Sequence, residues 1–261
     1  MRMRPRVWQT ALLAAVVLYL TVPVVATVRF ALSVGGEPSL KPLASLVSRP
    51  EFGPTLLRST VLSLATVALA LLITVPALVV VTLRLPRLRT LVEALALLPF
   101  VIPGVILALG LHGLYGAPPF VLTGSPVVLV VAYVITALPL MVRSVDNALT
   151  AIDARGLCEA AESLGAGFTT TLWRVLLPNL RSGLVAGSLL TFATAFGEFT
   201  LANLLVGAAW KTFPVFMREL PDGHEQSAVA VISFALTFII SGAVLWIGGR
   251  DARLSGTGAV R

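Results

Sequence analysis

At 261 residues, 57% of them hydrophobic and only 12% charged, with a mean hydropathy of +0.96, the chain falls outside the soluble globular class, where roughly a quarter of residues carry charge. The net charge of +7 is not a nucleic-acid footprint, because the basic residues sit between hydrophobic runs and form no patch. A single cysteine, Cys158, excludes an intramolecular disulfide.

Arg2, Arg4 and Arg6 precede an uncharged run from Ala11 to Val28. No small-residue cleavage site follows it, so it reads as a retained first transmembrane helix. Gly35 to Pro54 is a polar loop punctuated by Pro and Gly, too short for a domain. Ser59 to Leu83, 25 uncharged residues, exceeds the ~20 needed to cross a bilayer, and Pro76 is expected to kink it. Arg84, Arg87 and Arg89 mark a short basic turn.

From Ala94 to Val142 only His112 can carry charge, and 49 residues are too many for one crossing. Gly116-Ala-Pro-Pro and Thr123-Gly-Ser-Pro126 divide the run into a third span, 91–115, and a fourth, 126–142. Glu93 is expected to reach the headgroup layer, and His112 to be interfacial. A fifth span is expected from Gly183 to Val206 and a sixth within Gln226 to Gly249. The basic, Gly- and Ser-rich end from Arg250 to Arg261 is expected to fray.

Between the fourth and fifth spans lies the least membrane-like stretch, Asp153 to Pro178. Asp153 can cap a short helix through its carboxylate. Leu157, Ala161 and Leu164 give that helix an apolar face, and Gly165 supplies a left-handed stop. A second short helix has Phe168, Leu172 and Val175 on one side and is expected to end at Pro178. The result is a compact plug whose small residues, Ala160 and Ala161, suit close approach to a groove on a partner.

The spacing Glu159-Ala160-Ala161, three residues, Gly165, nine residues, Val175-x-Leu177-Pro178 resembles the EAA signature of ABC importer permeases, with Val175 for the usual Ile. The resemblance implies that Asp153 to Pro178 is the coupling helix region, in which Glu159, Ala160, Ala161, Leu164, Gly165, Val175, Leu177 and Pro178 meet the ATP-hydrolysing subunit. Gly197-Glu198-Phe199, Leu98-Pro-Phe-Val-Ile-Pro-Gly104 and Thr212-x-Pro214 resemble segments of the branch that serves polyamine, ferric-iron, thiamine, sulfate and molybdate importers. Where most of that branch has Asn before the Ser/Thr opening the second span, this chain has Arg58.

Lysine and arginine counts orient the bundle. With the amino terminus inside, thirteen fall on the cytosolic side and six outside, so both termini and the plug are expected in the cytosol. Glu198 lies 15 residues beyond Gly183, or ~22 Å along a continuous helix, in the outer half of a ~30 Å core. An ionisable group there faces a bundle interior or a watery pathway. Gly197, Glu198 and Asn203 are therefore the candidates for solute pathway or gate. The gate role, with Glu198 holding backbone freed near Gly197, is favoured over direct solute contact.

The expectation is an all-α integral membrane protein of six transmembrane helices, with the type I ABC importer permease bundle as the architecture the resemblance implies. Residues 1–54 would be the first helix and outer loop, 55–249 the permease core with its coupling loop at 143–181, and 250–261 a cytosolic tail. The chain would form half of a solute pathway in a bacterial cytoplasmic membrane. The resemblance implies as partners an ABC ATPase dimer, a second permease expected to be a different chain, and an extracytoplasmic solute-binding protein. The solute would be a polyamine or another small charged species. No phosphate-binding Gly-x-x-x-x-Gly-Lys-Ser/Thr loop, metal-ligand spacing or nucleophile–base pair occurs in the sequence. No catalytic residue, metal or cofactor is therefore nominated, and ATP hydrolysis is assigned to another subunit. An ATP-independent secondary transporter and a membrane scaffold are the alternatives.

Overall fold

A computed structural model describes residues 7–119 and 121–255. In chain order the elements are α1 (Val7–Ala31), a β1–β2 hairpin (Ser33–Val34 and Glu37–Pro38), α2 (Lys41–Val47), α3 (Phe52–Leu83), α4 (Arg89–Val101), α5 (Gly104–Tyr115), α6 (Pro126–Ala151), α7 (Ala154–Ser163), α8 (Phe168–Thr171), α9 (Leu177–Phe196), α10 (Thr200–Leu205), α11 (Phe213–Glu219) and α12 (Gly223–Ser255). Among the described residues, five helical stretches are long and apolar enough to cross a membrane. The bent α4–α5 pair makes a sixth if it counts as one span. The architecture is all-α, as the sequence predicts.

The chain divides into two compact units. One comprises the stretch up to Gly53 together with Phe216–Leu236, and the other comprises Pro54–Val215 and the stretch from Thr237 onward. In the first unit, α1 exposes its apolar side chains, Leu13, Leu18 and Tyr19 among them, as a lipid-facing helix does. The segment after it, read as a polar loop, holds the β1–β2 hairpin and α2. Gly35 and Gly36, at φ +61° and +89°, make the two-residue turn that a tight hairpin requires. Glu225 at the start of α12 is buried, and its carboxylate accepts from Arg49 at 2.7 Å and from the Ser45 hydroxyl at 2.8 Å. His224 stacks on Phe30 with ring centroids 4.0 Å apart.

The second unit is organised by α6 and α9, its most extensive helix pairing. Small residues bring the two backbones together. A Cβ at Gly183 would collide with the Cβ of Ala148 and lie 2.6 Å from the Ser144 carbonyl oxygen, and one at Gly187 would lie 2.7 Å from Met141 Sδ. Around this pair Leu149, Val145, Leu176 and Leu180 are fully or almost fully buried, with Val79 of α3 in the same cluster.

Three sequence expectations are corrected here. The third span is not straight: α4 and α5 meet at a 101° bend. Ile102 is extended (φ −88°, ψ 116°), because Pro103 disfavours the helical region for the residue before it. Pro178 does not end the second plug helix, for helix runs unbroken from Phe168 to Phe196. A π-turn over Leu172–Leu176 absorbs the proline ring and its missing amide, and the Asn179 side chain donates to the Val175 carbonyl at 2.7 Å. Finally, α12 continues through Arg250 to Ser255. The rest of the expected tail, 256–261, and Arg2, Arg4 and Arg6 lie outside the described residues.

Candidate functional site

The plug begins at Asp153, which adopts the left-handed conformation (φ 46°) and accepts the Gly156 amide at 3.5 Å. It ends in a Schellman closure, in which Gly165 donates to Glu162 at 2.9 Å and Ala166 to Ala161 at 3.0 Å. Gly165 has φ +80°, the conformation a glycine stop provides.

Between these ends α7 buries Ala154, Cys158 and Ala161, spaced by four and three residues on one face. Ala154 and Cys158 pack into the cluster with Leu149, Leu176 and Leu180. The apolar face expected from Leu157, Ala161 and Leu164 is therefore rotated. Leu157 is half-buried, while Leu164 caps the helix and is turned outward, 89% exposed. Glu159 and Ala160 are exposed, so the two alanines of the signature do different jobs. Ala161 packs inward and Ala160 faces outward.

At the far end of the motif Val175 and Leu177 are half-buried and Pro178 exposed, whereas Leu176 between them is fully buried. Two arginines tie the plug to the end of α3. Arg155 Nε donates to the Thr82 carbonyl at 3.0 Å, and the Arg84 guanidinium lies 4.8 Å over the Phe168 ring. They border a cleft of about 450 Å³ that also exposes Glu159 and Glu162. Burial first, then Glu162 and Glu159, raises the Cys158 thiol above its ordinary pKa.

The Gly197–Phe199 segment is a break between helices. α9 stops at Phe196 and α10 starts at Thr200, which corrects the continuous fifth span and the helical position assigned to Glu198. Glu198 lies in the break, half-buried, and its carboxylate caps α10. It accepts the amides of Thr200 at 3.0 Å, Leu201 at 2.7 Å and Ala202 at 3.3 Å, as an anion at a helix N-terminus does. The Tyr133 hydroxyl donates to the Glu198 carbonyl oxygen at 3.3 Å. Gly197 and Asn203 are exposed. α10 packs on α5 and α6, and thus on the second arm of the broken span. Next to it, the Arg58 guanidinium lies 5.4 Å over Trp210, and Ser59 Oγ accepts the Phe213 amide at 2.7 Å.

Sequence reasoning missed a third arrangement. Arg89, counted there only as a basic turn residue, donates from Nη2 to Asp146 Oδ2 at 2.8 Å and to Thr150 Oγ1 at 3.3 Å, and from Nε to Glu93 Oε1 at 2.9 Å. Glu93, expected near the headgroup layer, pairs with Arg89. Tyr133 and Leu176 were missed as well, and periodicity on α6 and across Val175–Pro178 is the signal that could have found them. Among the described residues no group of His, Cys, Asp and Glu could hold a metal ion.

The family model described as "Binding-protein-dependent transport system inner membrane component" matches residues 82–249. The chain belongs to this family. It is an ABC importer permease subunit, and its multi-pass, all-α character follows from the spans above. The molybdenum transport system permease protein ModB of Mycobacterium tuberculosis is 31% identical over 221 residues, covering 79% of this permease and 82% of the relative. The sulfate transport system permease protein CysT of Escherichia coli is 32% identical over 168 residues, 58% of this chain and 60% of the relative. A probable molybdenum ABC transporter permease of Haloferax volcanii is 34% identical over 170 residues, 61% of each. These names do not support the polyamine expectation, which is withdrawn for this permease.

Proposed function

We propose that this permease imports a tetrahedral oxyanion of the molybdate or sulfate kind, driven by a separate ATPase that docks on the Asp153–Pro178 plug. The likeness to a molybdenum permease over 79% of the chain carries the proposal. The chemistry of the spans agrees with it. The Glu198 carboxylate spends its oxygens on the α10 amides, and Asp146 and Glu93 are paired with Arg89. None of these carboxylates is free to replace the hydration shell of a cation.

In this reading both termini and the plug are cytosolic, by the excess of arginine and lysine on that side. Glu159, Ala160 and Leu164, exposed on the plug, meet the ATPase. The permease pairs with a second permease, and a binding protein delivers solute from outside. ATP binding draws two plugs together and rocks the bundles from inward- to outward-facing, a rigid-body switch between two packings. The Gly197–Phe199 break, with the start of α10 up to Asn203, is the gate, held in shape by Glu198.

The test is to express the permease with an ATPase and a binding protein from the same organism that assemble with it, and to measure uptake of labelled molybdate, sulfate and putrescine into vesicles. Molybdate or sulfate entry that requires ATP is the expected result. Putrescine entry without either oxyanion would overturn the solute assignment. Uptake with no ATPase co-purifying would overturn the coupling assignment.

A further inference from the structure

We propose that Arg89 is a positioning residue for transport. Its clamp on Asp146 ties the broken α4–α5 span to the helix that carries the plug, so that plug movement is passed to the pathway. This rests on the ATPase-coupling reading above.

Arg89 is the first residue of α4, and its guanidinium bonds to side chains: Glu93 on its own helix, and Asp146 and Thr150 one turn apart on α6. A guanidinium is suited to this because its planar fork points several donors in fixed directions. The Asp146 side chain is only 9% exposed, and among the described residues Arg89 is the one cation paired with it. The clamp is therefore desolvated and directional on its α6 side.

Each end of the clamp leads to a functional element. Asp146 lies seven residues before Asp153, about 10 Å of helix, and α7 of the plug starts immediately after. On the other side α4 bends into α5, which packs on α10, the helix capped by Glu198. Plug, α6, Arg89, α4, α5 and gate thus form one series of rigid pieces, alongside the direct packing of α10 on α6. Among the described residues, the clamp is the one polar joint in this series between α4 and α6. The plug also has its own tether to α3 through Arg155 and Thr82. It should therefore stay folded and keep its docking surface when Arg89 is changed.

Without the clamp only apolar packing, Ala96 and Val92 of α4 in the cluster with Val145 and Leu149 of α6, holds the broken span to the plug-bearing helix. Such packing is non-directional, so the span follows plug closure less tightly and hydrolysis should wait less for the pathway. The experiment uses the permease co-purified with its ATPase and measures ATP hydrolysis per assembled complex with no solute present, which keeps it independent of the solute assignment. For Arg89→Gln and Asp146→Asn the ATPase should co-purify in wild-type amount while solute-free hydrolysis rises about tenfold, the size of a typical coupling loss. Arg89→Lys, which keeps the charge but not the fork, should be intermediate, and Asp146→Glu should stay near wild type. Damage to folding alone would lower the amount of complex without raising the rate per complex. Wild-type rates in assembled Arg89→Gln and Asp146→Asn overturn the proposal; should those not assemble, a wild-type rate in Arg89→Lys does so. If the ATPase fails to co-purify even with the wild-type permease, the docking reading itself fails and takes the clamp's role with it.

Discussion

Glu198 and Leu201 are joined by a 2.7 Å bond from the Leu201 amide to the carboxylate, and this bond starts α10 three residues after α9 has stopped. Rather than facing the pathway as a free charge, the carboxylate supplies the acceptors that a helix start in an apolar setting needs. Glu198→Gln keeps one acceptor oxygen and should lower stability by about 1 kcal/mol, the usual worth of a cap. Glu198→Leu leaves several amides unpaired at about 1–3 kcal/mol each and should lower the thermal midpoint of the purified protein much further. Equal midpoints for the two variants would show that the cap is not what Glu198 contributes.

The two alanines of the plug separate docking from folding. Ala160→Arg places a long charge on an exposed position and should leave folding intact while abolishing co-purification of the ATPase. Ala161→Arg forces the same side chain into a site only 8% exposed and should reduce the yield of folded permease itself. Size-exclusion profiles of both variants, with and without the ATPase, tell these outcomes apart. An Ala160→Arg permease that still holds its ATPase would place the docking surface elsewhere on the plug.

Close packing of α6 on α9 is tested by single methyl groups. Gly183→Ala drives its Cβ against backbone at Ser144 and against Ala148, neither of which can swing away. It should cost about 1–3 kcal/mol, as overpacking does. Gly187→Ala meets the thioether of Met141, which is flexible, and should cost less. Denaturation midpoints in detergent should rank wild type, Gly187→Ala, Gly183→Ala in falling order.

Cys158 gives a pH-dependent readout of plug integrity. Burial, with Glu162 and Glu159 behind it, raises the thiol pKa, and only the thiolate alkylates quickly. The pH profile of alkylation should therefore lie above that of a free thiol measured alongside. Glu162→Gln should move it part of the way back, and unfolding in denaturing detergent fully. A thiol raised in the folded state contributes stability below its unfolded pKa and loses that contribution as pH rises through the folded one. The plug should therefore loosen at alkaline pH. A profile matching the free thiol would mean that α7 does not bury this face.

Much of this was legible in the sequence. The spans follow from hydropathy, and Asp153 and Gly165 mark the ends of α7 by chemistry that needs no tertiary contact. The breaks at Ile102 and at Gly197–Phe199 were not, because apolar content stays high across them and hydropathy is blind to direction. Pro103 was visible, yet a proline in an apolar run signals a kink as readily as a 101° turn. Which alanine faces inward was hidden for another reason. Ala160 and Ala161 are chemically identical neighbours, and only the way α7 is seated, with Ala154 and Cys158 in the core cluster, tells them apart. Arg89 and Asp146 are 57 residues apart, and no local pattern links them.

The π-turn at Leu172–Leu176 gives the motif's spacing a geometric meaning. Each residue added to a helix turns the chain beyond it by about 100° and advances it by about 1.5 Å. The wide turn accommodates one residue more than α-helical winding would, and it begins inside the nine that separate Gly165 from Val175. That interval therefore sets an angle: it fixes which side of the plug points away when α9 is seated against α6. Removing one residue between Gly165 and Val175 would leave both halves of the motif intact and rotate the outward face by roughly a quarter turn, aiming Glu159 and Ala160 away from any partner placed to receive them.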